Sequence, residues 1–120
     1  MCIRDSSGAD GTAVSTGKQN TSDIIDADCT PTEAIAAYIC ANLDLGSYSD
    51  WFLPSKDELN LMYINLHTAA SGSVGGFADS CYWSSSEYDA YYAWVQHFGI
   101  GSQGALSKGG FTNVRAVRAF

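Results

Sequence analysis

Two helix starts in the first half of the chain and an aromatic, alternating second half predict an α+β domain. It should have two helices packed on short antiparallel strands, joined by long loops. The starts are Thr30-Pro31-Thr32-Glu33 and Ser55-Lys56-Asp57-Glu58, each a capping hydroxyl followed three residues later by glutamate. The alternation is clearest from Tyr91 to Phe98, where Tyr92, Trp94, Gln96 and Phe98 fall on one face. Composition agrees. Charged residues make up 16% of the 120, against roughly a quarter in an average soluble domain. Abundant Gly, Ser and aromatic residues suit a loop-rich chain, secreted rather than cytosolic.

Taken in order, Met1-Cys2-Ile3-Arg4-Asp5-Ser6 stands apart. It resembles the translation of a transposon end used as a sequencing adapter, so residues 1–6 are expected to be a scar. Residues 7–120 then form one domain, a fragment of a longer protein. Residues 7–23 are polar with no apolar period and read as a loop or irregular edge. Asn20-Thr21-Ser22 matches a glycosylation sequon.

In the first helix Thr30 caps, Pro31 takes the first helical position, and Ile35, Tyr38, Ile39 and Asn42 share a face. Gly46 is expected to stop it. Asp50-Trp51-Phe52-Leu53 reads as a short buried strand closed by Pro54. Ser55 opens the second helix, with Leu59, Met62, Tyr63 and Leu66 at helical spacing, ending in the loop of residues 69–76. Strands follow at Tyr82-Trp83-Ser84, Tyr91 to Phe98 and Phe111 to Phe120, with a turn at Gly99-Ile100-Gly101.

The net charge of −7 argues against nucleic acid as a partner. The longest apolar run, Ala34 to Ala41, is far too short to span a membrane. With Cys2 set aside, Cys29, Cys40 and Cys81 remain, and no spacing suggests a metal site. Cys29 and Cys40 flank a helix. An oxidising compartment would permit a disulfide between them if the chain folds back, and the helix would otherwise hold them apart. Cys81 reads as a small buried apolar residue.

Four motifs stand in order along the chain: Asp50-Trp51-Phe52-Leu53-Pro54-Ser55-Lys56-Asp57-Glu58-Leu59, Tyr82-Trp83-Ser84-Ser85-Ser86-Glu87, Tyr92-Ala93-Trp94 with Phe98, and Val114-Arg115-Ala116-Val117-Arg118. This set resembles the Lcl C-terminal domain family, named for the C-terminal domain of a bacterial collagen-like adhesin. The resemblance runs from Gly11 to Phe120. It implies a C-type-lectin-like fold, related to that of formylglycine-generating enzymes. It also implies an extracellular or cell-surface location, a homotrimer, and a sulfated glycosaminoglycan as ligand.

Binding a sulfated glycan needs cations. Residues 90–120 hold no acid and carry Lys108, Arg115 and Arg118 together with His97, a locally basic quarter in an acidic chain. Lys108, in a Gly/Ser loop, is the best exposed candidate. Arg115 and Arg118 would point to opposite faces of an unbroken strand. For them the favoured reading is structural, paired with acids such as Asp50, Asp57 or Glu58. A neutral sugar would instead use aromatic faces with amides beside them. The pool is Tyr88, Tyr91, Tyr92, Trp94, Gln96 and Gln103, with Tyr88 and Tyr91 exposed at the Asp89-Ala90 turn. Trp51, Trp83 and Trp94 are expected in the core.

The calcium-dependent sugar signatures Glu-Pro-Asn, Gln-Pro-Asp and Trp-Asn-Asp do not occur. Asp23, Asp26 and Asp28 lack the other ligands of a calcium loop and read as a solvated face. Ser84-Ser85-Ser86 with His97 lacks a nucleophile elbow. The copper-binding cysteine pair of formylglycine-generating enzymes has no counterpart, since Cys81 stands alone in its half of the chain. The expectation is a non-enzymatic glycan-binding module without cofactor. The competing expectation is an oligomerising tip or protein-recognition module without a small ligand.

Overall fold

The computed structural model describes residues 9, 11–26, 35–67, 76–89, 91–107, 110 and 112–118. Its helices are α1 (Gly17–Asp26), α2 (Ile35–Ala41) and α3 (Lys56–Met62), the last running into a π-helical turn at Tyr63–His67. Three strands follow, β1 (Cys81–Glu87), β2 (Tyr92–His97) and β3 (Gln103–Ser107), in one antiparallel sheet of order β1-β2-β3. The α+β expectation holds, with one helix more than the sequence suggested.

Helices cover both faces of the sheet. Trp83, Ala93 and Val95 point to one side, where they pack with Ile24 of α1 and Ala36, Ala37 and Cys40 of α2. Tyr82 and Phe98 point to the other, where Leu59 of α3 joins them with Met62, Tyr63 and Phe77 alongside. Alternation along β1 and β2 produces this division. The neighbours Tyr82 and Trp83 serve opposite cores, opposite Gln96 and Val95 in register.

From Gly17 on, helix α1 replaces the loop expected over residues 7–23, while described residues 11–16 are non-helical. Gly17, Asn20, Thr21 and Ile24 form its buried face at helical spacing, but three of them are polar or lack a side chain. Their polar groups are satisfied internally. Asn20 Nδ2 donates to Gly11 O at 2.6 Å, and its Oδ1 accepts from Gly11 N at 3.2 Å. Thr21 Oγ1 donates to Gly17 O and accepts from Leu53 N at 3.0 Å. Burial of Asn20 also removes the sequon as a surface glycosylation site.

The proposed start of α2 at residues 30–33 lies outside the described residues. Its buried face is Ala36, Ala37 and Cys40, with Ile39 exposed, contrary to the face expected from the larger residues. Small side chains allow the close approach. The helix ends at Ala41, before Gly46. Gly46 instead takes φ +61° beside Ser47 at +68°, closing a tight turn in which Leu45 and Tyr48 exchange backbone hydrogen bonds.

Helix α3 starts as expected, with the Ser55–Glu58 capping box formed. Leu66, expected on the inner face, is exposed along with Leu61 and Ile64. The π-helical turn at Tyr63–His67 changes the helical phase there.

Two expected strands reduce to single bridges. Phe52 and Val117 exchange hydrogen bonds at 2.8 and 2.9 Å, and Asn113 bridges Tyr82. Strand β3 was not foreseen. It completes a hairpin with β2 in which Gln96 faces Gln103. Between Trp83 and Glu87 the β1–β2 register shifts. The serine run fills the irregularity with hydroxyls in place of ladder bonds. Ser84 Oγ donates to Trp94 O at 2.7 Å, and Ser86 Oγ donates to Gly11 O at 2.6 Å.

Candidate functional site

The first residue of α3 is held at both of its backbone polar groups. Lys56 N donates to Ser86 Oγ at 2.9 Å, and Lys56 O accepts from Gln103 Nε2 at 3.0 Å. This pinning sets where the side chain leaves the helix, and it carries the ammonium to 4.8 Å from the centre of the Trp94 ring. Tyr88 meets the same indole edge-on at 5.2 Å. The result is a cation and two aromatic rings held by three elements, with a cation–π attraction at its centre. Asp57 Oδ1 lies 3.8 Å from the ammonium and is half exposed.

The turn beyond β1 presents further rings. Asp89 Oδ1 accepts from the backbone N of both Tyr91 and Tyr92, at 2.8 and 2.9 Å. Tyr88 N and Asp89 N both donate to Tyr92 O. This local bracing fixes the turn that carries Tyr88, Tyr91 and Tyr92, with exposures of 57%, 68% and 44%. Such rings offer flat apolar faces and a polar tip to a ligand.

The candidate residues named from sequence are thus partly united. Tyr88, Tyr91 and Gln103 belong to this region. Gln103 is a supporting residue, since its amide nitrogen donates to Lys56 O and to Gln96 Oε1. Gln96 Nε2 in turn donates to Asn60 Oδ1 at 2.9 Å, tying β2 to α3. His97 lies apart, with Nδ1 accepting from Gly99 N to shape the turn after β2.

The arginines are not part of the site. Arg115 stacks on Phe77 at 4.3 Å. Arg118 pairs with Asp50 and stacks on Tyr48, beside a concavity of about 350 Å³ that Trp51 also lines. Asp50 is one of the acids the sequence offers Arg118 as a partner. Lys108 and Cys29 lie outside the described residues, as does Asp28. Cys40 is buried with its thiol free, and Cys81 is half-buried.

Of the three tryptophans, only Trp83 is a core residue. Trp51 and Trp94 are half-buried, which corrects the expectation for both. Lys56 was missed as a site residue because its sequence role is the position after a helix cap. Only the partner 38 residues on, Trp94, gives it another.

The serine run is buried and engaged in backbone hydrogen bonds through Ser84 and Ser86, while Ser85 Oγ is buried without a hydrogen-bond partner among the described residues. Among the described residues no group of His, Cys, Asp and Glu converges as a metal site. No described helix is long and apolar enough to cross a membrane.

Comparison with protein families matches the Lcl C-terminal domain over residues 10–118, nearly the whole chain, and the chain belongs to that family. No curated protein and no solved structure matches it.

Proposed function

We propose that this domain is a non-enzymatic, extracellular binding module of adhesin type, with a C-type-lectin-like fold, that holds a glycan on the Tyr88–Trp94–Lys56 face. The observation that carries this reading is the Lys56 ammonium, 4.8 Å from the Trp94 ring centre, with Tyr88 against the same indole. The exposed tyrosine rings would stack on the C–H faces of sugar residues. The ammonium would take a carboxylate or sulfate substituent. One lysine suits a glycan of sparse negative charge. Arg115 and Arg118 are engaged on Phe77 and Asp50, so they do not extend the site toward a densely sulfated chain. The Lcl family, as a bacterial surface-domain family, supports placement on a secreted or cell-surface protein.

The test is binding of the full chain to an array of neutral, uronate-bearing and sulfated glycans, at low and high salt. Binding lost in Tyr88→Ala and weakened at high salt or by Lys56→Ala supports the reading. Binding that survives both substitutions places the ligand elsewhere.

A second reading is an oligomerising tip, a homotrimer whose contact is apolar. Its support is the row of exposed Leu61, Ile64 and Leu66 on α3 and the π-helical turn. Concentration-dependent assembly without glycan binding would favour it.

A further inference from the structure

A groove of about 450 Å³, which shares no lining residue with the Tyr88–Trp94–Lys56 cluster, is lined by Val14, Phe52, Leu61, Met62 and Val117 with Lys18 and Arg118. Its volume is in the range of small-molecule sites. Its walls are set by the fold. Phe52 and Val117 exchange backbone hydrogen bonds, and Leu61 and Met62 stand on the capped helix α3. Val14 and Leu61 leave large apolar surface open at its rim, at 51% and 43% exposure. Ser15, also in the lining, holds φ +79°, a conformation costly for a residue with a side chain.

The charges around the groove are unequally satisfied. The Asp50 carboxylate is taken up by Arg118. Glu58, also in the lining, uses Oε1 to accept from both Gly17 N and Ser55 N at 2.9 Å. Lys18 has no ion-pair partner among the described residues. Its ammonium, which acts on the Asp50 carboxylate only through space, stands beside the apolar part of the wall without a contacting acid among the described residues. We propose that this groove is a second binding site, for a small amphipathic anion. The apolar body would lie against Phe52, Leu61, Met62 and Val117, and the single acidic group would face Lys18.

The test uses the full chain and a pair of fluorescent probes, anilinonaphthalene sulfonate and the uncharged phenylnaphthylamine. Titrations are read alongside near-UV circular dichroism to show that the fold is intact. The sulfonate should bind saturably at one site. Lys18→Glu should weaken it by about fivefold or more, the loss expected of one ion pair worth ~1 kcal/mol. The same change should leave the uncharged probe unaffected. Leu61→Asp should weaken both probes, and Trp94→Ala should weaken neither. Absence of saturable binding overturns the proposal, as does sulfonate binding that Lys18→Glu leaves unchanged. Loss of both probes in Trp94→Ala also overturns it, by assigning the signal to the aromatic face.

Discussion

Arg118 closes on Asp50 through two contacts, Nε to Oδ1 at 2.7 Å and Nη2 to Oδ2 at 3.2 Å, across 68 residues of sequence. Its guanidinium also lies 3.6 Å from the Tyr48 ring centre. The planar fork suits both partners, as a lysine would not. The hydrogen bond from Arg118 holds the Asp50 carboxyl below its ordinary value of 3.8, and that same bond raises the Arg118 guanidinium. A carboxyl whose pKa is lowered by folding stabilises the fold above its unfolded value. That contribution disappears as pH falls through the folded value. Asp50→Asn should therefore be less stable than the parent at neutral pH, and the difference should close under strong acid. Urea midpoints measured across an acid series check this. A difference that persists at the acid end would mean that the pair contributes through packing alone.

Thr21 supports a second long-range contact, accepting from Leu53 N while donating to Gly17 O. Thr21→Val keeps the shape and leaves the Leu53 amide buried without that partner. The expected loss is ~1–3 kcal/mol in urea denaturation, and Thr21→Ser should recover part of it. Equal stability of the valine variant would show that the amide finds another acceptor.

Thr21 also shows why the sequence reveals some elements and conceals others. The Ser55–Glu58 cap is a local pattern and formed as expected, and a strand, Tyr92–His97, lies within the stretch expected from Tyr91 to Phe98, although Ala93 and Val95 rather than Trp94 enter the core. Helix α1 buries Gly17, Asn20 and Thr21, so it has helical spacing without an apolar stripe. Hydrophobic periodicity cannot detect such a face. In α2 the inner residues are alanines and a cysteine, and the bulky Ile39 faces outward. Size alone pointed to the wrong side. Tyr88 and Tyr91 were legible as turn residues. The pairing of Lys56 with Trp94 depends on the β1 serine run meeting the α3 backbone, a contact that no local spacing encodes.

Burial pushes the Cys40 thiol up to about 12. The thiolate is the reactive form, so Cys40 should resist alkylation in the folded protein at mildly alkaline pH. Cys81, half-buried at the sheet edge, should label sooner. Peptide mapping by mass spectrometry after iodoacetamide treatment reads both. Labelling of Cys40 after denaturation without reductant identifies a free thiol. Labelling only after reduction identifies a disulfide.

Gly17 and Glu58 give the sharpest packing prediction. Alanine exceeds glycine in helix propensity by up to ~1 kcal/mol, so Gly17→Ala on an open helix would stabilise the protein. Here a Cβ at Gly17 would meet Glu58 Oε1, and it would lie 2.8 Å from Ser55 N and 2.9 Å from Leu53 O. The last two are backbone atoms at the entry to α3 and cannot swing aside. The collision also strikes the Glu58 oxygen that accepts from Gly17 N and Ser55 N. Overpacking of this kind costs ~1–3 kcal/mol and should outweigh the propensity gain. Gly17→Ala should therefore lower the urea midpoint. Glu58→Ala should lower it too, by removing the shared acceptor, whereas Glu58→Gln, which keeps a side-chain oxygen there, should cost less. The two alanine changes touch the same contact, so the double variant should lose less than the sum of the single losses. Additive losses would show that the α1 entry and the α3 cap are independent. A midpoint raised by Gly17→Ala would show that α1 does not sit this close to Ser55 and Leu53.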